Sequence, residues 1–472
     1  MTSRRALGLV LATTLLTAGL ASVPADAAAP APAHCPGLRT IAVTGAEKQV
    51  QTCLDNMQTP GLIAAGRTDV NDWAGLNASD SKNPPGPVPG IQVDGYFHDD
   101  STLNAEYGWF HDAQFVIRLP DNWNDKLVIT GAPGVRKQFA NDYIISDYVL
   151  AHGYAYASTD KGNSGTSFYN DGVIGQSPGG AVREWHQRVT ELTRAAQALM
   201  RSHYGHSAAK TYMTGISNGG YLTRYALENH PELYDGGVDW EGTLFRPQGP
   251  NLFTYLPVAL ANYPAYAATG DPAAHQAMID AGFAPGSEFL WPDHYSEYWD
   301  LTQRVYREEF DPGYDGHAVP SDPAGTPFCK TGTPAGTATA CDTQYNYASR
   351  PTAVKDAVGS VSLTGHIGKP MLTLHGTLDA LLPIKTDSDV YTKLIAAAGS
   401  GALSRYYTID KGNHVDGRYD AHKTELRPIL PCYRAAFEAM TAWVEKRTAP
   451  PPSGLVPASG PDVANVCALP GQ

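Results

Sequence analysis

The chain has 472 residues, 42% of them apolar and 17% charged, which excludes disorder throughout and supplies a sizeable core. Its formal net charge of −13 sets an acidic surface against phosphate backbones and excludes nucleic acid as a partner. The 47 glycines and 36 prolines predict many turns and long ordered loops.

The first element in the chain is an address. Arg4 and Arg5 precede an apolar stretch at 6–20, and Ala25-Asp26-Ala27 follows as a small-x-small cleavage site. This pattern is a secretory signal over 1–27, too short for a comfortable membrane span. The mature chain is expected to be secreted, to start near Ala28 and to have no membrane association after cleavage. Six cysteines suit export, because an even number in an oxidising compartment points to disulfides. Proximity favours Cys35–Cys53, Cys329–Cys341 and Cys432–Cys467. The third would pin down the Pro-rich tail at 449–472, and the first would tie the leader segment at 28–90.

Strands are predicted at 91–97, 114–119 and 126–130, with a turn at Pro120-Asp121-Asn122. The last of these ends in Gly131-Ala132-Pro133-Gly134. A helix at 138–152, a strand at 154–158 and a long helix at 180–204 follow. Next come a strand at 210–216, a helix at 221–229 and a strand at 237–240. After a long gap, strands at 370–375 and 404–409 alternate with helices at 388–398 and 433–447. Strands alternating with helices predict an α/β fold, a mostly parallel sheet with helices on both faces. The first two strands lack an intervening helix and are expected to form an antiparallel edge. The span 243–367 breaks the rhythm and is rich in Pro, Gly and aromatics, including Phe253, Tyr255, Trp291, Trp299 and Tyr306. It is read as a cap inserted between two parts of the core, 91–242 and 368–448.

Gly215-Ile216-Ser217-Asn218-Gly219 matches G-x-S-x-G, and its context is the strand-turn-helix that the motif requires. The turn lifts Ser217 clear of the backbone, and the following helix points its amides at any anion formed there. A hydroxyl needs a base to act as a nucleophile. In the order Ser, acid, His, the acid is Asp379, in the loop after the strand at 370–375, and the base is His414, after the strand at 404–409. Glu241 and Asp416 are the rival acids. An oxyanion hole would use the amide of Asn218 and one from the loop after 126–130. Pro133 has no N–H, so Gly134 or Val135 is expected there, with Ala132 behind them. His98, Asp99, His111 and Asp112 form metal-like pairs that read as solvated loop residues, and the carboxylates at 311–315 lack calcium spacing. No metal or cofactor is expected.

These motifs resemble the α/β-hydrolase superfamily of serine hydrolases. Three stretches look closer to the secreted tannase and feruloyl esterase group and to the 3-hydroxybutyrate-oligomer hydrolases. They are Pro120-Asp121-Asn122-Trp123-Asn124, the run from Gly153 to Gly162 containing Ser158-Thr159-Asp160-Lys161, and Ser217-Asn218-Gly219-Gly220 with a helix ending at His230-Pro231-Glu232. Ile216 and Val415 stand where tannase-type enzymes place a disulfide-linked cysteine pair. The resemblance implies hydrolysis of a small or oligomeric carboxylic ester through an acyl-enzyme, under a lid that reads the substrate. The alternatives are a serine peptidase on the same fold and a polyester or hydroxyalkanoate-oligomer depolymerase.

Overall fold

Alternating apolar side chains let the central strands bury both faces. On the strand Lys126–Gly131, Leu127 and Ile129 join one hydrophobic cluster and Val128 joins the other. The computed structural model describes residue 35 and residues 40–165, 177–314 and 342–472. The segment read as an export signal and the Cys329–Cys341 pairing lie outside these residues.

Among the described residues ten strands form one sheet. They are β1 (Ala46–Leu54), β2 (Gly90–Phe97), β3 (Gln114–Pro120), β4 (Lys126–Gly131), β5 (Ala155–Thr159), β6 (Lys210–Ile216), β7 (Gly236–Trp240), β8 (Met371–Gly376), β9 (Ser404–Ile409) and β10 (Gly454–Val456). The order is β1-β2-β3-β5-β4-β6-β7-β8-β9-β10. From β5 to β10 every pairing is parallel, whereas β1, β2 and β3 are antiparallel and join through β3 to β5. The chain leaves β4 for β5 on one side and returns to β6 on the other. Such a reversal opens a crevice at the strands' C-terminal ends.

Both edges differ from the expected picture. The predicted edge pair, β2 and β3, is covered by β1, which the charged sequence Ala46-Glu47-Lys48-Gln49 had concealed. The Cys35–Cys53 disulfide ties β1 to the chain before it. At the other edge the Pro-rich tail supplies β10, which pairs with β9 and is held by Cys432–Cys467. The helix expected from 138 starts later, at Asp142, with a wide turn in which the Ser146 amide donates to Asn141 O (3.0 Å). The preceding side chains are held by tertiary partners: Gln138 donates to Gln114 (3.1 Å) and Asn141 to Gly131 O (3.1 Å).

One face of the sheet packs against the helices Gly180–Tyr204, Asn218–Asn229 and Ser388–Ala397. The other packs against Asp147–Ala151 and Leu430–Lys446. Between β7 and β8 lie the helices Leu252–Thr269, Pro272–Asp280, Trp291–Glu297, Trp299–Phe310 and Thr352–Gly359. Phe253, Tyr255, Phe283, Trp291 and Trp299 are all buried in the first cluster. Among the described residues no helix is long and apolar enough to cross a membrane.

Candidate active site

Ser217 follows β6 directly and precedes the helix Asn218–Asn229. Its backbone sits at φ 58°, ψ −119°, a strained conformation for a residue with a side chain, costing about 1–3 kcal/mol. The Ser217 amide donates to Trp240 O at 2.9 Å, which locks the turn to β7. The flanking glycines are required by space. A Cβ on Gly215 would lie 2.6 Å from Gly219 C, and one on Gly219 would lie 2.5 Å from Gly131 O. The Asn218 amide, in the first turn of the helix, has no intrahelical acceptor.

The loop after β4 adjoins this turn. Asn218 Nδ2 donates to Gly134 O at 3.0 Å. The Ala132 amide donates to Thr159 O (3.0 Å) and so is not free for an oxyanion. Among the described residues nothing accepts from the amides of Gly134 or Val135, and Gly134 takes φ +50°.

His414 and Asp379 meet at the same rim. His414 Nδ1 lies 2.8 Å from Asp379 Oδ2. A carboxylate can only accept, so Nδ1 carries the proton and Nε2 keeps its lone pair. The other Asp379 oxygen accepts the amides of Leu381 and Leu382, each at 2.8 Å. Burial opposes ionisation of Asp379, but His414 and His375 outweigh it and hold its carboxyl well below the usual range.

The rival acids have other roles. Glu241 Oε2 lies 3.7 Å from His414 Nδ1, while its Oε1 accepts the Gly376 amide at 2.6 Å. Burial, with the charge of Asp379 beside it, pushes the Glu241 carboxyl far up. One histidine thus faces two carboxyls whose surroundings split them into an ionised and a neutral acid. Asp416 accepts the amides of Ile429 (2.6 Å) and Leu430 (2.8 Å), at the start of the helix Leu430–Lys446. Glu241, Asp379 and His414 offer ligand atoms within 4.8 Å of one another, a set that could hold a cation. The His414 atom nearest both acids, however, is the nitrogen that donates to Asp379. Of the metal-like pairs, His98 meets Glu47, Asp99 meets Arg188, and Asp112 accepts from Ser164 and the Leu103 amide. Asp311 pairs with Arg350 (2.5 Å).

Sequence reasoning missed His375. Its Nε2 lies 3.2 Å from Asp379 Oδ2 and 2.9 Å from Leu382 O, so that nitrogen carries a proton. Its Nδ1 then accepts from Ser388 Oγ at 2.7 Å. Ser388 and Asp387 also receive the buried Arg224, from the helix after Ser217, at 2.8 and 2.9 Å. A fixed polar chain therefore links the Ser217 helix to the acid. A histidine closing a β-strand four residues before the acid was the one available signal.

The inserted helices dock on both halves of this rim. Tyr306 Oη donates to Asn218 Oδ1 at 2.7 Å, and Trp299 Nε1 donates to Ala380 O at 2.6 Å. Arg418, four residues past His414, pairs with Asp293 (3.0 Å) and Glu297.

A mostly parallel sheet with helices on both faces, an elbow after β6, and loops after β8 and β9 define the α/β-hydrolase fold. Comparison with known proteins finds parts of the chain similar to two family models and to two curated ester hydrolases. The family model "Tannase and feruloyl esterase" matches residues 108–239, and "3HB-oligomer hydrolase" matches 330–467. The chain is 25% identical over 141 residues to mono(2-hydroxyethyl) terephthalate hydrolase of Piscinibacter sakaiensis, covering 28% of this chain and 23% of that protein. It is 29% identical over 110 residues to D-(-)-3-hydroxybutyrate oligomer hydrolase of Azoarcus sp. (strain BH72), covering 22% and 16%. The chain thus spans less than a quarter of the length of these curated relatives. Among solved structures, feruloyl esterase B from Aspergillus oryzae superposes with a TM-score of 0.53 at 15% identity over 87% of this chain and 89% of that one. Tannin acyl hydrolase from Aspergillus niger gives 0.51 at 14% identity over 90% and 88%.

Proposed function

We propose that the chain is an exported serine hydrolase of carboxylic esters, acting through Ser217, His414 and Asp379. The observation that carries this reading is the 2.8 Å Asp379–His414 hydrogen bond at the rim where Ser217 occupies its strained turn. With Nδ1 donating to Asp379, His414 Nε2 is free to take the Ser217 proton as Oγ attacks the ester carbonyl. Ionised Asp379 stabilises the imidazolium that results. The amides of Asn218 and of Gly134 or Val135 receive the oxyanion. His414 protonates the leaving alcohol and then activates the water that releases the acid. Glu241, held neutral, adds no second charge beside the pair.

The substrate class draws support from the named relatives, which act on a terephthalate monoester and on 3-hydroxybutyrate oligomers, and from feruloyl esterase and tannin acyl hydrolase structures. We read the substrate as a small or oligomeric ester. Export is supported by Cys35–Cys53 and Cys432–Cys467, bonds that persist in an oxidising compartment.

The test is turnover of p-nitrophenyl esters together with fluorophosphonate labelling. Ser217→Ala is expected to lower kcat by at least ~10³-fold and to abolish labelling, with the fold intact by circular dichroism. Undiminished turnover by that variant would overturn the assignment.

A further inference from the structure

Lys161 is a chemical anomaly beside this site. Its side chain is wholly buried, yet among the described residues its Nζ has no hydrogen-bond partner. The ammonium lies 5.3 Å from the centroid of Trp185, a cation–π contact that only partly replaces lost water. Its neighbours leave it unpaired. Asp160 accepts from Asn104, from the Gln114 amide and from the Gly162 amide. Asp112 accepts from Ser101, Ser164 and the Leu103 amide. On the helix behind Trp185, Glu184 and Arg188 pair with each other. Lys161 also holds φ +75°, a backbone region that side-chain-bearing residues rarely occupy. A buried charge without a hydrogen bond, on a strained backbone, destabilises the fold, and such features cluster at functional sites.

Its position suggests the use. Lys161 stands two residues past β5, where Thr159 pairs with Gly131 at the end of β4. Its Cγ lies 3.7 Å from the place a Cβ on Gly131 would occupy, and the Gly131 carbonyl abuts Gly219 in the Ser217 turn. The same loop donates from the Gly165 amide to Val135 O at 2.8 Å. Beyond Lys161, Trp185 meets Tyr306 edge-on at 6.4 Å, and Tyr306 holds Asn218. The Lys161 side chain therefore runs beside the end of β4, from which the loop that would supply the second oxyanion amide departs.

We infer that Lys161 is an electrostatic positioning residue, whose buried charge, facing Asp160, Asp72 and Asp112 without a hydrogen bond to any of them, favours the negative tetrahedral intermediate at Ser217 over the neutral ester. The inference rests on the ester-hydrolase reading. In a dry interior such a field is weakly screened and acts without contact. Burial lowers the Lys161 pKa to about 8, against the pull of Asp160, Asp72 and Asp112, so the charge is present at neutral pH.

The experiment compares wild type with Lys161→Met on phenyl butyrate and on 4-carboxyphenyl butyrate. The expected result is a roughly tenfold fall in kcat on both esters with KM changed less than about threefold, and a matching loss of affinity for a trifluoromethyl ketone. Wild-type kcat should also decline on the alkaline side near pH 8, a limb that K161M lacks. The melting temperature of K161M should not fall, because an unpaired buried charge has been removed. An effect confined to KM for the carboxylate ester would make Lys161 a substrate-anion binder and overturn the inference. So would an unchanged kcat, or a lowered kcat with the alkaline limb retained. A wild type that hydrolyses neither ester and escapes fluorophosphonate would instead sink the hydrolase reading, and this inference with it.

Discussion

The turn around Ser217 and the helices over 252–310 touch at Tyr306 and Asn218, yet they are built differently. At the turn most constraints act over a few residues. Gly215 makes room for Gly219, β6 delivers the chain, and the next helix starts at once, with only Gly219 answering to a distant neighbour, the Gly131 carbonyl. In the insertion the constraints are long-range. Trp299 reaches Ala380 across 81 residues, Tyr306 reaches Asn218 across 88, and Arg418 reaches back 125 to Asp293. The elbow is a local device that would form wherever a β-strand meets a helix with those glycines. The insertion is shaped by what it must cover. Its aromatics mainly pack on one another, as in the Phe283–Trp299 and Tyr263–Trp299 pairs, and only a few polar edges reach the rim.

That contrast can be broken at its strongest point by Asp379→Asn. The amide oxygen keeps the Leu381 and Leu382 amides, which turns the NH2 toward His414 Nδ1 and reverses its tautomer, so kcat should fall about 10³–10⁴-fold with little change in KM. Comparable activity in the variant would show that Glu241, 3.7 Å from the same nitrogen, can serve as the acid. A smaller effect is expected from Tyr306→Phe, which removes one hydrogen bond worth about 1 kcal/mol and loosens Asn218. Turnover should drop roughly three- to tenfold, measured as kcat on a p-nitrophenyl ester. An unchanged kcat would mean the insertion covers the rim without bracing it.

The smallest effect concerns the pH dependence of the insertion. Burial raises the Asp300 pKa to about 7, with Asp342 adding repulsion, and among the described residues its Oδ1 has no hydrogen-bond partner. A raised carboxyl pKa means that the folded state keeps a proton the unfolded chain gives up above about pH 4. Stability is therefore lost as pH climbs from about 4 to about 7. Relative to Asp300→Asn, wild type should lose stability across that window, read from melting curves at pH 4.5 and pH 8. Asp379, with its carboxyl depressed by two histidines, has the opposite sign, and its stabilisation fades only in strong acid.

Where the physics is local, the residues disclosed it in advance. The elbow, the helix at 180–204 and the strands at 114–119, 126–130 and 210–216 follow from apolar spacing and glycine placement. The two edges did not, since β1 reads as a charged stretch and β10 as a Pro-rich tail, and a strand that only needs a neighbour carries little pattern of its own. Asp142 illustrates the same limit. It accepts both terminal nitrogens of the buried Arg118, on β3, at 2.6 and 2.8 Å, and nothing in the periodicity of 138–152 announces that partner.

The sequence by itself determined the order of Ser217, Asp379 and His414 along the chain, and the strand ends from which they hang. These depend on short-range periodicity and on Gly215, whose crowding neighbour Gly219 lies close by in the sequence. Tertiary structure alone decided which of three carboxyls faces His414 ionised, that His375 shares that acid, and that Lys161 is buried with no hydrogen-bond partner among the described residues. Each of those facts is a balance between desolvation and the nearest charge or donor, and that balance exists only once distant segments have closed around the group.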